Sequence, residues 1–121
     1  MSDADAHYEQ QLGGVPKPIV GLRTHAPEFF AGMASARASV MDGELPDGLD
    51  RAMKELLFIV LDVAYDNLEG ALVHVEAGLE AGLTLDALLE ALVLTIYVGG
   101  LATWARSGQR IYEAALELVG E

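Results

Sequence analysis

After Pro46 the apolar positions recur with helical spacing and no further proline interrupts them. A first helix is predicted over 27–41, with Pro27 suited to its opening turn and Gly43 to its end. A second begins near Asp47 or Asp50, whose carboxylates suit a helix N-terminus, and runs through Met53, Lys54 and Glu55 to about Tyr65. Its six consecutive apolar residues, 56–61, would also fit a buried strand, but the flanking Lys54 and Glu55 and the length of the pattern favour helix. A third helix over 67–81 closes on Gly82. Thr84 caps a fourth, with Asp86 in its first turn, reaching Val98 before Gly99 and Gly100. The last, 101–119, carries Arg106, Arg110, Glu113 and Glu117 as a solvated stripe.

Residues 1–26 hold Gly13, Gly14, Pro16 and Pro18 with little periodicity, and are expected to form an irregular arm ahead of one helical domain over 27–121. No strand-and-turn pattern competes. The expected fold is all-α, a small domain of about five to six helices.

Composition narrows the function. The 121 residues carry 19 acidic and 7 basic side chains, a formal charge of −12, yet 52% of them are hydrophobic. That apolar content excludes an acidic disordered chain. The acidic balance argues against nucleic acid and anionic membranes, both of which want clustered Lys and Arg. A domain this small has limited interior, so part of the apolar surplus is expected between subunits of a homo-oligomer. With no cysteine, disulfides, thiolate nucleophiles and sulfur-ligated metals are excluded. The acidic N-terminus lacks the form of a secretory signal, and the reading is a cytoplasmic protein. The apolar stretch 85–104 is broken by Asp86, Glu90 and the glycine pair, which favours a buried helix over a membrane span.

The third predicted helix separates into three faces at 100° per residue. Leu68, Leu72, Val75 and Leu79 form the expected core stripe, and Glu69, Glu76 and Glu80 the wet side. The remaining face, Asn67, Gly70, Ala71, His74, Ala77, Gly78 and Ala81, holds one imidazole and one carboxamide among small residues. A helix-interior glycine costs up to about 1 kcal/mol relative to alanine, so Gly70 and Gly78 need a reason. One reason is close approach of another helix, with His74 a core or interface histidine. The other is a small cavity in which His74 is the proton-transfer group, since an imidazole exchanges protons near neutral pH.

Glu55 is the second candidate, immediately before the apolar run and with Asp62 at i+7 on its own face. It reads either as a surface carboxylate paired with Lys54 or Arg51, or as a buried group beside His74. If buried, desolvation is expected to raise its pKa, letting it act as an acid or orient the imidazole.

The segment Lys54, Glu55, Leu56, then Asn67, Gly70 and His74, then Gly82, Leu83 and Thr84 with Glu90, Gly99 and Gly100, resembles the carboxymuconolactone decarboxylase and alkyl hydroperoxidase D-like family. The family pattern sets a Glu 19 residues before a His, as Glu55 precedes His74 here, with two cysteines between them. Asn67 and Gly70 occupy the cysteine positions, so thiol–disulfide chemistry cannot run. The resemblance then points to the cysteine-free, decarboxylase-like branch. It implies a hydroperoxidase D-like helical subunit assembled as a homotrimer or homohexamer, with sites near subunit contacts and no metal or organic cofactor.

The implied reaction is loss of CO2 from a small unsaturated lactone or keto acid, a carbon–carbon lyase step of aromatic compound catabolism. A conjugated carbonyl can hold the released electrons as a dienolate, so the enzyme need only position the carboxylate and deliver a proton to carbon. His74 would donate that proton, Glu55 would hold the imidazole, and Asn67, beside Gly70, would hydrogen-bond a substrate oxygen. Arg106, Arg110, Arg51, Lys54 and Arg23 are candidate clamps for the substrate carboxylate, or else surface ion-pair partners. Tyr65, Tyr97 and Trp104 could line a pocket for a flat ligand, or simply belong to the core. His7 and His25 lie apart from the matched segment and make no metal site. The alternative function is a non-catalytic helical oligomer that binds a small ligand or serves as a scaffold.

Overall fold

The computed structural model describes residues 2–43 and 45–120, and within them every regular element is helical. The chain divides into two compact units, one ending at Leu49 and one beginning at Asp50.

The first unit contains α1 (Asp3–Leu12), a 3₁₀ turn (Lys17–Ile19), α2 (Val20–His25) and α3 (Pro27–Asp42). Helices therefore occupy much of the stretch expected to be an irregular arm. The Ser2 hydroxyl accepts from the Asp5 amide at 3.1 Å, Asp3 and Asp5 complement the first turn, and Gly13 ends α1 at φ 78°. α1 buries only Ala4 and Tyr8, an i, i+4 pair that meets a second such pair, Phe30 and Ala34, on α3. The Tyr8 and Phe30 rings stack with centroids 5.4 Å apart. Two apolar contacts in ten residues make too faint a periodicity to see in the sequence. α3 belongs to this unit.

The second unit is built from α4 (Arg51–Ala64), α5 (Leu68–Glu80), α6 (Leu85–Gly99), a π-helical turn (Trp104–Gly108) and α7 (Gln109–Leu118). Local capping chemistry sets its boundaries. The Asp50 carboxylate accepts from the Met53 amide at 2.8 Å, Asn67 from Gly70 at 3.2 Å, and Thr84 from Ala87 at 3.1 Å. α5 ends in a Schellman motif, Leu83 N–H to Gly78 C=O and Gly82 N–H to Leu79 C=O, with Gly82 at φ 103°. Ile59, Val75, Leu88, Leu92 and Ile111 fill the core.

One expectation is refined here: on α5, Ala71, Ala77 and Gly78 of the small face are buried together with Val75 of the predicted core stripe, while Leu68, Leu72 and Leu79 are half-buried and pack against that core. A Cβ on Gly78 would stand 3.0 Å from Leu83 Cδ2 and 3.4 Å from the Glu55 Cβ, so glycine there leaves room chiefly for Leu83, with α4 packed alongside. The predicted last helix runs unbroken over 102–118 and takes a π turn at Trp104–Gly108, where the Ser107 hydroxyl donates to Thr103 O, before α7 proper.

Candidate functional site

Glu55 lies in the second turn of α4, and its side chain is fully buried. Burying a lone carboxylate would be costly, and two cationic or donor groups offset that cost. Arg51, one turn earlier on α4, gives its Nε–H to Glu55 Oε1 at 3.1 Å. His74, from the middle of α5, gives its Nδ1–H to Glu55 Oε2 at 2.6 Å. Each carboxylate oxygen thus accepts one charge-assisted or short hydrogen bond.

Burial alone pushes the Glu55 carboxyl upward, but the hydrogen bond and charge of His74, with those of Arg51, outweigh it and hold the carboxyl below the ordinary glutamate value. This corrects the expectation that burial would raise it. Glu55 is therefore a standing carboxylate at neutral pH, suited to orienting the imidazole and not to giving up a proton itself.

An ionised Glu55 can only accept, so His74 carries its proton on Nδ1 and presents Nε2 as the reactive nitrogen. Among the described residues Nε2 takes no hydrogen bond, and 13% of the His74 side chain remains exposed. Phe58, one turn beyond Glu55 on α4, stacks on the imidazole with ring centroids 4.5 Å apart and planes 10° from parallel. The ring is clamped in plane by Phe58 and in register by Glu55.

Asp62 continues the same face of α4. Asn67, as well as capping α5 with its carbonyl oxygen, donates from Nδ2 to Asp62 Oδ1 at 3.3 Å. Gly70 lies directly under this pair. A Cβ there would fall 2.4 Å from Asn67 Nδ2 and 2.9 Å from Asp62 Oδ2. Partial burial raises the Asp62 carboxyl, against the weaker opposing effects of the His74 charge and the Asn67 hydrogen bond.

The other sequence candidates lie apart from this cluster. Tyr65 and Tyr97 point outward and are largely exposed, while Trp104 packs half-buried against the core. Arg106 is exposed, with Nη1 3.9 Å from Asp66, and Arg110 and Arg23 reach Glu117 and Asp5 in similar surface pairs. Such pairs contribute about 0–1 kcal/mol. Arg106 also lines a groove of about 620 Å³ between α4 and α6, walled by Leu57, Leu61, Ala91, Leu94 and Val98. Neither Glu55 nor His74 lines it, because Glu55 turns from α4 towards α5, which carries His74. Sequence reasoning missed Phe58, hidden inside an apolar run, although its i+3 spacing from Glu55 marks the same helical face. Among the described residues no group of three or more His, Asp or Glu could hold a metal ion, and no helix is long and apolar enough to cross a membrane.

The second unit is thus a four-helix arrangement in which a buried glutamate is hydrogen-bonded to a largely buried histidine from the adjacent helix. The chain belongs to the carboxymuconolactone decarboxylase family, whose sequence profile matches residues 27–107. It is similar to a crystal structure of the "putative carboxymuconolactone decarboxylase" of Burkholderia xenovorans LB400, with 33% identity and a TM-score of 0.88 over 97% of this chain and 89% of that one. Comparison with curated proteins gave no significant match.

Proposed function

We propose that this protein is a cofactor-independent decarboxylase-like enzyme that acts by proton transfer on a small unsaturated lactone or keto acid. The observation that carries the reading is the 2.6 Å hydrogen bond from His74 to the fully buried Glu55 carboxylate, which leaves Nε2 as the working atom. In the step proposed, the C–CO2 bond breaks and its electron pair passes into the conjugated carbonyl as a dienolate. An imidazolium Nε2–H then gives its proton to carbon, and the neutral ring keeps Nδ1–H on Glu55. Glu55 balances the charge of the imidazolium, and Arg51 keeps that carboxylate in place.

The reading includes assembly as a homotrimer or homohexamer in the cytoplasm. Leu57, Leu61, Leu94 and Val98 stand exposed along α4 and α6, as do Tyr97 near the end of α6 and Leu101 just beyond it. A contiguous apolar surface of this kind supports subunit contact. A second reading, a non-catalytic oligomer that binds a small ligand, draws on the separation between this groove and His74. The deciding experiment is incubation of the pure protein with 4-carboxymuconolactone and related unsaturated acids, following CO2. Release above the uncatalysed rate supports the enzyme, and its absence across the set favours the second reading.

A further inference from the structure

We propose that Asp62 is a second proton-transfer group of the same site, held by Asn67 through Oδ1 and presenting Oδ2 to the substrate beside His74. The inference rests on the proton-transfer reading above and adds the group that would complete it. Its geometry comes from two adjacent helices. On α4, Glu55, Phe58 and Asp62 follow one another at i, i+3 and i+7 on one face. On α5, Gly70 and His74 are one turn apart, about 5–6 Å along the axis. Asp62 meets α5 at Gly70, Phe58 meets it at His74, and the Glu55 backbone end meets it at Gly78. Asp62 and His74 thus lie along a single ridge, close enough for the His74 charge to act on the Asp62 carboxyl.

Two observations separate this carboxyl from an ordinary surface aspartate. Asp62 is half-buried, and among the described residues its Oδ2 takes no hydrogen bond while Oδ1 is fixed by Asn67. Gly70, in the first turn of α5, leaves the space in which the Asn67 carboxamide and the Asp62 carboxyl meet; a Cβ there would push the ends of both side chains aside. The groups facing Asp62 from α5 are Asn67 and His74, and on α4 the other carboxylate of the face is Glu55, already engaged by Arg51. Partial burial favours the protonated form of Asp62 relative to an exposed aspartate. A carboxyl in that form can donate to an enolate oxygen as charge develops there. In its ionised form it can take that proton back as His74 Nε2–H protonates carbon, and solvent then reprotonates His74, so the proton that replaces CO2 comes from water.

The test pairs a kinetic and a spectroscopic measurement on the full chain. Asp62→Asn keeps the shape and the contact with Asn67, and should lower kcat at least tenfold and remove the Asp62 contribution to the alkaline limb of the kcat/KM pH profile, where a group that must be protonated is lost. A wild-type rate and an unchanged profile would overturn the proposal. Carbon-13 NMR of the Asp62 carboxyl in the unsubstituted protein needs neither substrate nor variant. A titration step above that of the exposed aspartates, moving the His74 ring resonances with it, supports the assignment, and a step at the exposed-aspartate position with no response from His74 overturns it. If the wild-type protein releases no CO2 from any acid offered, the proposed reaction fails, and the NMR titration still decides Asp62.

Discussion

Glu55 and His74, 19 residues apart in sequence, meet across α4 and α5 with a carboxylate oxygen 2.6 Å from Nδ1, one turn from where Gly78 packs beside the Glu55 Cβ. The pair fixes which nitrogen of the imidazole is available. Replacing Glu55 by Gln would leave the packing but remove the negative charge that holds the ring. Activity in Glu55→Gln is expected to fall by about 10²-fold or more, the range typical of losing a positioned acid–base partner. Steady-state kinetics alongside circular dichroism would check it; loss of helix content together with activity would assign Glu55 a purely structural role.

The same pair makes stability depend on pH. The folded Glu55 carboxyl lies below its ordinary value of 4.5, so it releases its proton more readily in the folded state than in the unfolded chain. Its contribution is therefore present above about pH 4.5 and is lost as pH falls through the lower, folded value. Thermal melts of wild type and Glu55→Gln should differ most near neutrality and converge on acidification. A gap that widens in acid would contradict the sign. Asp62 works the opposite way, since its raised carboxyl favours the fold at low pH and loses that contribution as pH rises through the folded value. Asp62→Asn is accordingly expected to hold or raise the melting temperature at neutral pH.

Gly82 closes α5 in the left-handed region at φ 103°, immediately before Leu83 enters the core and Thr84 starts α6. An alanine there should cost about 1–2 kcal/mol from the backbone alone. A denaturant titration that shows an unchanged midpoint for Gly82→Ala would remove this turn from the account of the fold.

The exposed apolar face of α4 and α6 leads to a prediction about assembly. Placing a charge at Leu61 or Leu94, both more than half exposed, should leave the subunit folded but abolish its self-association. Sedimentation velocity would show a shift from a trimer or hexamer to a monomer; an unsubstituted protein that already sediments as a monomer would end that part of the proposal.

Helix ends were legible in the sequence wherever a short polar side chain or a glycine sets them. Asp50, Asn67, Thr84 and Gly82 act within three residues of themselves, so local chemistry suffices to place them. Burial was less legible, because it depends on which helix arrives from elsewhere. Leu72 and Leu79 look like core and do pack against it half-buried, yet Ala71 and Gly78 on the neighbouring face lie deeper. Glu55 illustrates the same limit: its i, i+4 partner Arg51 could be read as a surface pair, and the arrangement keeps that pair while burying the carboxylate and adding His74. Its pKa direction could not follow from burial alone, since the partners outweigh the desolvation. Phe58 sat unseen in an apolar run, and the helix at 3–12 was concealed by having only Ala4 and Tyr8 to bury.

The most direct measurement of the central claim is turnover of 4-carboxymuconolactone in D2O by wild type and His74→Ala, reading both CO2 and the label in the product. The account predicts that wild type releases CO2 and places one deuterium on the carbon that receives the proton, while His74→Ala, folded and with the wild-type assembly state, does neither above background. Equal rates and equal labelling by the two proteins would contradict proton transfer through His74.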